Sequence, residues 1–167
     1  FEVILAPRPC SSMSRITTPQ AKGESMTEKV LLVDDERDFV DTLAERMRCR
    51  GMEVSTSESG IEALELIDKE SYDVVVLDLQ MPGMDGLEVL ARIKSRQPEI
   101  QVVLLTGHAT VEKGVEAMKL GALEFLEKPI DLSDLAEVIH QAKAEKLILV
   151  ERDAEGRIQE ILKKVSW

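Results

Sequence analysis

Three runs of this chain, Val30-Leu31-Leu32-Val33, Val74-Val75-Val76-Leu77 and Val102-Val103-Leu104-Leu105, are apolar at every position. That is the pattern of a strand covered on both faces of a parallel sheet. Met52-Glu53-Val54-Ser55-Thr56 alternates instead and predicts an edge strand, and Leu123 to Leu126 predicts a short last one. Helical spacing fills the intervals. Phe39, Val40, Leu43 and Met47 share one face of a helix expected over 36–50, with Gly51 as its stop. A second helix is expected over 60–69. Asp85 can cap a third that carries Leu87, Leu90 and Ala91, and Thr110 can cap a fourth ended by Gly121. Asp131 or Ser133 can cap a long final helix. Strict alternation of strand and helix predicts an α/β fold, a doubly wound five-stranded parallel sheet in order 2-1-3-4-5 with an extended C-terminal helix. Ligands of such sheets collect at the carboxyl ends of the strands, beside the switch point.

Composition adds limits. The chain is 44% hydrophobic but only 3% aromatic, so Val, Leu, Ile and Met must build the core. A net charge of −11 argues against a nucleic-acid-binding surface, which needs Lys and Arg to neutralise phosphates. Cys10 and Cys49 make neither a disulfide framework nor a metal-ligand spacing, and a reduced, cytoplasmic setting is expected. No apolar run approaches the roughly 20 residues that span a bilayer. Residues 1–25, rich in Pro, Ser and Thr and without periodicity, read as a disordered leader of expression-derived or upstream-translated origin. Val3 to Ala6 is too short for a signal peptide, whose apolar region runs about 7–15 residues. Residues 26–145 read as the folded domain and 146–167 as a helical extension.

The unusual polar residues fall on one edge of this plan. Asp34 and Asp35 follow the first strand, Asp78 ends the third, Thr106 follows the fourth, and Lys128 lies just past the fifth. Taken singly, each is an ordinary cap or turn residue. Together they describe a site. Three carboxylates at close range repel by about 4 kcal/mol per pair at an effective dielectric near 20. A divalent cation removes that repulsion, and Mg²⁺ suits it because one or two carboxylates leave water positions open for phosphate oxygens. A remaining carboxylate can then attack phosphorus, with the Lys128 ammonium and the Thr106 hydroxyl beside the transferring group.

Four blocks, Leu31-Leu32-Val33-Asp34-Asp35-Glu36, Val76 through Asp85-Gly86, Leu104-Leu105-Thr106-Gly107 and Lys128-Pro129, resemble the receiver domain of two-component response regulators, a flavodoxin-like (CheY-like) family. The resemblance covers residues 26 to about 145, and the surroundings of Thr106 and Lys128 resemble regulators of the nitrogen-regulator type. It implies that Asp35 and Asp78 ligate Mg²⁺ with the backbone carbonyl of Gln80, while Asp34 acts through water. It also implies that Asp78 takes a phosphoryl group from a sensor histidine kinase or phosphotransfer protein. Lys128 would bridge to that group, Thr106 would turn inward to it, and Phe125 would be the switch aromatic. Gln80 and His108 would tune the lifetime of the phosphate. Lys128-Pro129 resembles the family's cis peptide. Such a domain is a phosphoacceptor that assists its own phosphorylation and dephosphorylation rather than an enzyme.

Rival readings fit less well. An aspartyl-phosphate phosphatase of the haloacid-dehalogenase kind needs a second Asp two residues after its nucleophile, where this chain has Gln80. A phosphate-independent interaction module would not need the acids, Thr106 and Lys128 all retained. A nucleotide or flavin binder would carry a Gly-rich loop after the first strand. Beyond the domain, Leu147 to Val150 and then Ile158, Ile161, Leu162 and Val165 form apolar stripes at helical spacing, with Gly156 between them as a candidate hinge or helix break. These stripes predict a signalling helix that pairs with a second copy of the chain. Too few residues follow the domain for a DNA-binding or ATPase unit, so it reads as a stand-alone receiver or one cut from a longer regulator.

Overall fold

The structure is a computed structural model that describes residues 27–165; the expected leader over 1–25 lies outside them. Among the described residues, β1 (Lys29–Val33), β2 (Glu53–Ser57), β3 (Val74–Leu77), β4 (Gln101–Thr106) and β5 (Glu124–Glu127) form one parallel sheet. Its order is β2-β1-β3-β4-β5, as the alternation predicts. The connecting helices are α1 (Arg37–Cys49), α2 (Gly60–Lys69), α3 (Gly86–Arg96), α4 (Val111–Lys119) and α5 (Leu132–Val165).

The all-apolar strands are buried on both faces because each has a helical layer above and below. Alternation sorts their side chains. Leu31, Val33, Val75, Leu77, Val102 and Leu104 point to a layer with residues of α2, α3 and α4. Val30, Leu32, Val74, Val76, Val103 and Leu105 point the other way, to α1 and α5. Leu104 is fully buried, so Leu104→Ala should destabilise the fold by about 2–5 kcal/mol through lost transfer energy and a cavity.

Caps fix where the helices begin. Asp85 accepts from the Leu87 N–H at 3.2 Å and Thr110 from the Lys113 N–H at 3.3 Å. At α5, Asp131 is the cap, accepting from the Ser133 N–H at 2.6 Å, and Ser133 lies inside the first turn. Strands β2 and β5 are shifted one residue later than the apolar pattern predicts, since side-chain pattern does not register backbone pairing at a sheet edge.

Helix α5 is 34 residues long. Leu135, Ala136, Ile139 and Ala142 bury its first part against the sheet. Lys146 is the last half-buried residue, and every described residue after it is exposed. Two lysines pin the helix where it leaves the domain. Lys143 Nζ donates to the Thr27 carbonyl at 2.9 Å, and Lys146 Nζ donates to the Tyr72 carbonyl at 2.6 Å and to Asp73 at 3.1 Å. Gly156 does not break the helix. A single glycine costs about 1 kcal/mol relative to Ala, and good helix formers flank it while an Asp153–Arg157 ion pair spans it.

Candidate functional site

Sheet register brings the acids together. Val33 pairs with Leu77, so Asp34 and Asp78 each leave the sheet one residue past a paired position. The Asp78 N–H donates to the Val33 carbonyl at 2.9 Å, and the Asp34 N–H to the Ser57 carbonyl at 3.1 Å. Oxygens of Asp34, Asp35 and Asp78 consequently lie within 4.8 Å of one another. Asp34 and Asp78 are buried, at 4% and 6% exposure, while Asp35 faces solvent. Asp34 is also held from below, its Oδ1 accepting from the Glu36 N–H at 2.9 Å where α1 begins.

The loop after Asp78 is shaped by two glycines. Gly83 has φ +89°, in the left-handed region that an L side chain rarely adopts. At Gly86 a Cβ would stand 2.4 Å from the Asp78 carbonyl oxygen, so only glycine lets α3 start against the acid's own backbone. Within this loop the Gln80 N–H points to Asp78 Oδ1 at 3.4 Å, and the Gln80 side chain is exposed.

Thr106 and Lys128 reach the same edge. Thr106 is fully buried at the end of β4, and its Oγ1 accepts from the His108 N–H at 3.3 Å. The Lys128 N–H donates to the Thr106 carbonyl at 2.9 Å, which extends the β4–β5 ladder by one step. From there Lys128 Nζ meets Asp34 Oδ2 at 2.5 Å. Its ammonium also stands 4.2 Å from the centre of the Phe39 ring. The Lys128–Pro129 peptide is cis, as the resemblance implies.

These surroundings act on Asp78 in both directions. Burial, and then the charge of Asp34, push its carboxyl above the ordinary carboxylate range. Lys128, the Gln80 N–H and the Thr106 side chain oppose that shift. Hard oxygen donors in a mutually repelling set suit a hard divalent cation such as Mg²⁺, so the residues present fit that ion.

Asp34, Asp35, Asp78, Thr106 and Lys128 are thus one constellation, with Gln80 and His108 joined to it through their backbone N–H groups. Phe125 is not among the acids. It pairs with Leu104 in the sheet and faces α4, its ring 3.6 Å from where a Cβ on Gly114 would be. There it lines an open groove of about 790 Å³ with the exposed Val111, Val115 and Met118. Sequence reasoning placed Phe39 only in the helix core. Its position in the first turn after Asp34-Asp35, in a chain so poor in aromatics, was the available signal.

A five-stranded parallel α/β sheet with an acid cluster, a hydroxyl and an ammonium at its carboxyl edge places the chain among doubly wound α/β domains with a polar site beside the switch point. Residues 30–140 match the family model described as response regulator receiver domain. The chain is 34% identical over 114 residues to sporulation initiation phosphotransferase F of Bacillus subtilis (strain 168), covering 68% of this chain and 92% of that protein. It is 34% identical over 113 residues to the DNA-binding transcriptional regulator NtrC of Escherichia coli (strain K12), covering 68% of this chain and 24% of that one. A receiver domain protein from Clostridium thermocellum superposes with a TM-score of 0.70 at 35% identity, covering 73% of this chain and 98% of that one. The chain belongs to the response regulator receiver domain family of phosphorelay signalling. It spans about a quarter of the length of NtrC and of other transcriptional regulators that it matches.

Proposed function

We propose that Asp78 is the phosphoacceptor of this receiver, taking a phosphoryl group from a phosphohistidine on a sensor histidine kinase or phosphotransfer protein. The observation that carries this reading is the buried Asp78 carboxylate flanked by Asp34, Asp35, Thr106 and Lys128 at the open edge of the sheet. A carboxylate oxygen of Asp78 attacks phosphorus, the P–N bond to the donor imidazole breaks, and an acyl phosphate forms. Hydrolysis returns the carboxylate and inorganic phosphate. Asp35, Asp78 and the Gln80 carbonyl would hold Mg²⁺, with Asp34 acting through water; when bound, the ion neutralises the acids and the phosphoryl oxygens.

This chain's own groups do the rest. Thr106 offers a hydroxyl to a phosphoryl oxygen, and the Lys128 ammonium can turn from Asp34 to another, so charge on the transferring group meets fixed donors. Gln80 and His108, both exposed at the mouth, flank the approach of the attacking water and set phosphate lifetime. Movement of Thr106 toward the phosphoryl group opens space that Phe125 fills, and the groove between α4 and β5 changes shape. The domain is a phosphoacceptor rather than an enzyme acting on other substrates.

The exposed stripe of α5, with Leu147, Val150, Ile158, Ile161, Leu162 and Val165 at 38–73% exposure, supports pairing with a second copy. A contiguous apolar stripe left exposed in this way usually marks an interface. Among the described residues no helix is long and apolar enough to cross a membrane, and the acidic charge disfavours nucleic acid; work in the cytoplasm is part of the proposal, as the setting of a phosphorelay. Beryllium trifluoride, a phosphoryl mimic, tests the site. It should shift amide resonances of Thr106, Phe125 and Lys128 only when Mg²⁺ is present, and unchanged spectra would argue against a phosphoacceptor site.

A further inference from the structure

We infer that Phe39 is a positioning residue for phosphoryl transfer: its ring face holds the Lys128 ammonium at the acceptor site. This rests on the reading of Asp78 as acceptor and adds a residue outside the acid, hydroxyl and lysine set. Lys128 Nζ lies 4.2 Å from the ring centre, within the range in which an aromatic face attracts a cation. The ring is itself held. Phe39 packs with Leu43, Ile130 and Leu132 against the buried layer beneath α1 and α5. It also lines a groove of about 490 Å³ between α1 and the segment after β5.

Two physical points make this contact matter. A lysine side chain is long and flexible, and an ammonium with three donors is poorly fixed by one carboxylate oxygen. Its partner Asp34 belongs to the carboxylate set that a divalent cation would neutralise, which weakens the ion pair when Lys128 is needed for phosphate. An uncharged ring does not lose its attraction in that way. Phe39 therefore keeps Lys128 near the acceptor as Asp34 lets go, so the ammonium need only pivot to reach the phosphoryl oxygens.

The test follows phosphorylation of the full chain by phosphoramidate in excess Mg²⁺, read by mass spectrometry over a range of donor concentrations. Phe39→Leu should lower the maximal rate about 3- to 10-fold with the half-saturating donor concentration unchanged. Phe39→Trp should keep or raise the rate. Replacing Phe39 by mono-, di- and trifluorophenylalanine keeps its shape while weakening the ring's quadrupole, and the rate should fall stepwise along that series. In a Lys128→Met background, Phe39→Leu should change nothing further. A second readout needs no phosphorylation: in the Mg²⁺-loaded protein, the Lys128 ε-methylene protons should carry an upfield ring-current shift that disappears in Phe39→Leu. A flat fluorination series, an equal effect of Phe39→Leu in the Lys128→Met background, or no ring-current shift in the parent would each overturn the inference and leave Phe39 as packing. If Asp78→Asn incorporates phosphate like the parent, the acceptor reading falls as well, so the two failures are distinct.

Discussion

Lys128 Nζ and Asp34 Oδ2, 94 residues apart in sequence, meet at 2.5 Å and tie the segment after β5 to the end of β1. Both side chains are largely buried, at 16% and 6% exposure. Asp34 also stands within reach of Asp35 and Asp78, so Lys128 brings a positive charge into an otherwise negative cluster.

Lys128→Met should therefore destabilise the metal-free protein, by about 1–3 kcal/mol, because a buried carboxylate loses its charged partner. Removing the ammonium also leaves the site more negative. Mg²⁺ should then raise the urea midpoint of the variant more than that of the parent. Equal responses to Mg²⁺ would mean that Lys128 does not share the cation's field.

The pH dependence of stability follows from Asp78. Burial and Asp34 raise its folded-state pKa above the ordinary 3.8, so the folded protein holds this proton more tightly than the unfolded chain does. The resulting stability is fully present below about pH 3.8 and is lost as pH rises through the folded value. Asp78→Asn has no proton to lose. In buffer with chelator, its stability advantage over the parent should be smallest at the acid end, open across that window and stay level above it. Denaturant melts between acid and neutral pH measure the difference directly, and a gap that narrows with rising pH would contradict the assigned direction.

Much of this was legible in the sequence because its signals were local. Short apolar runs rich in β-branched residues, such as Val74 to Leu77, suit strands with two covered faces, and their order along the chain leaves few topologies. The site was legible for the same reason. In a parallel sheet every strand's carboxyl end lies on one edge, so Asp34, Asp78, Thr106 and Lys128 were brought together by counting alone. What pattern could not supply was contact between helix and loop. Nothing in the spacing of Phe39 distinguishes a core aromatic from one standing under Lys128, since that depends on how α1 tilts and where the Lys128–Pro129 turn sends its side chain. Gly156 does not break α5 for a related reason: one glycine's conformational freedom is outweighed by its helix-forming neighbours.

The exposed end of α5 gives a test of assembly. Light scattering on the full chain should report a dimer, strengthened by beryllium trifluoride with Mg²⁺. A version ending at Lys143 keeps the buried residues Leu135 to Ala142 and should be monomeric. A full-length chain that remains monomeric up to high concentration in every condition would sink the pairing.

The central claim rests on one carboxylate and can be tested at one residue. Incubated with acetyl phosphate and Mg²⁺, the parent chain should gain one phosphoryl group that alkali and hydroxylamine remove, mapped by mass spectrometry to the peptide holding Asp78. Asp78→Asn keeps the shape of the side chain but cannot form an acyl phosphate, and it should gain none while retaining the parent's circular dichroism. Incorporation in Asp78→Asn equal to the parent's would place the acceptor elsewhere and contradict the account.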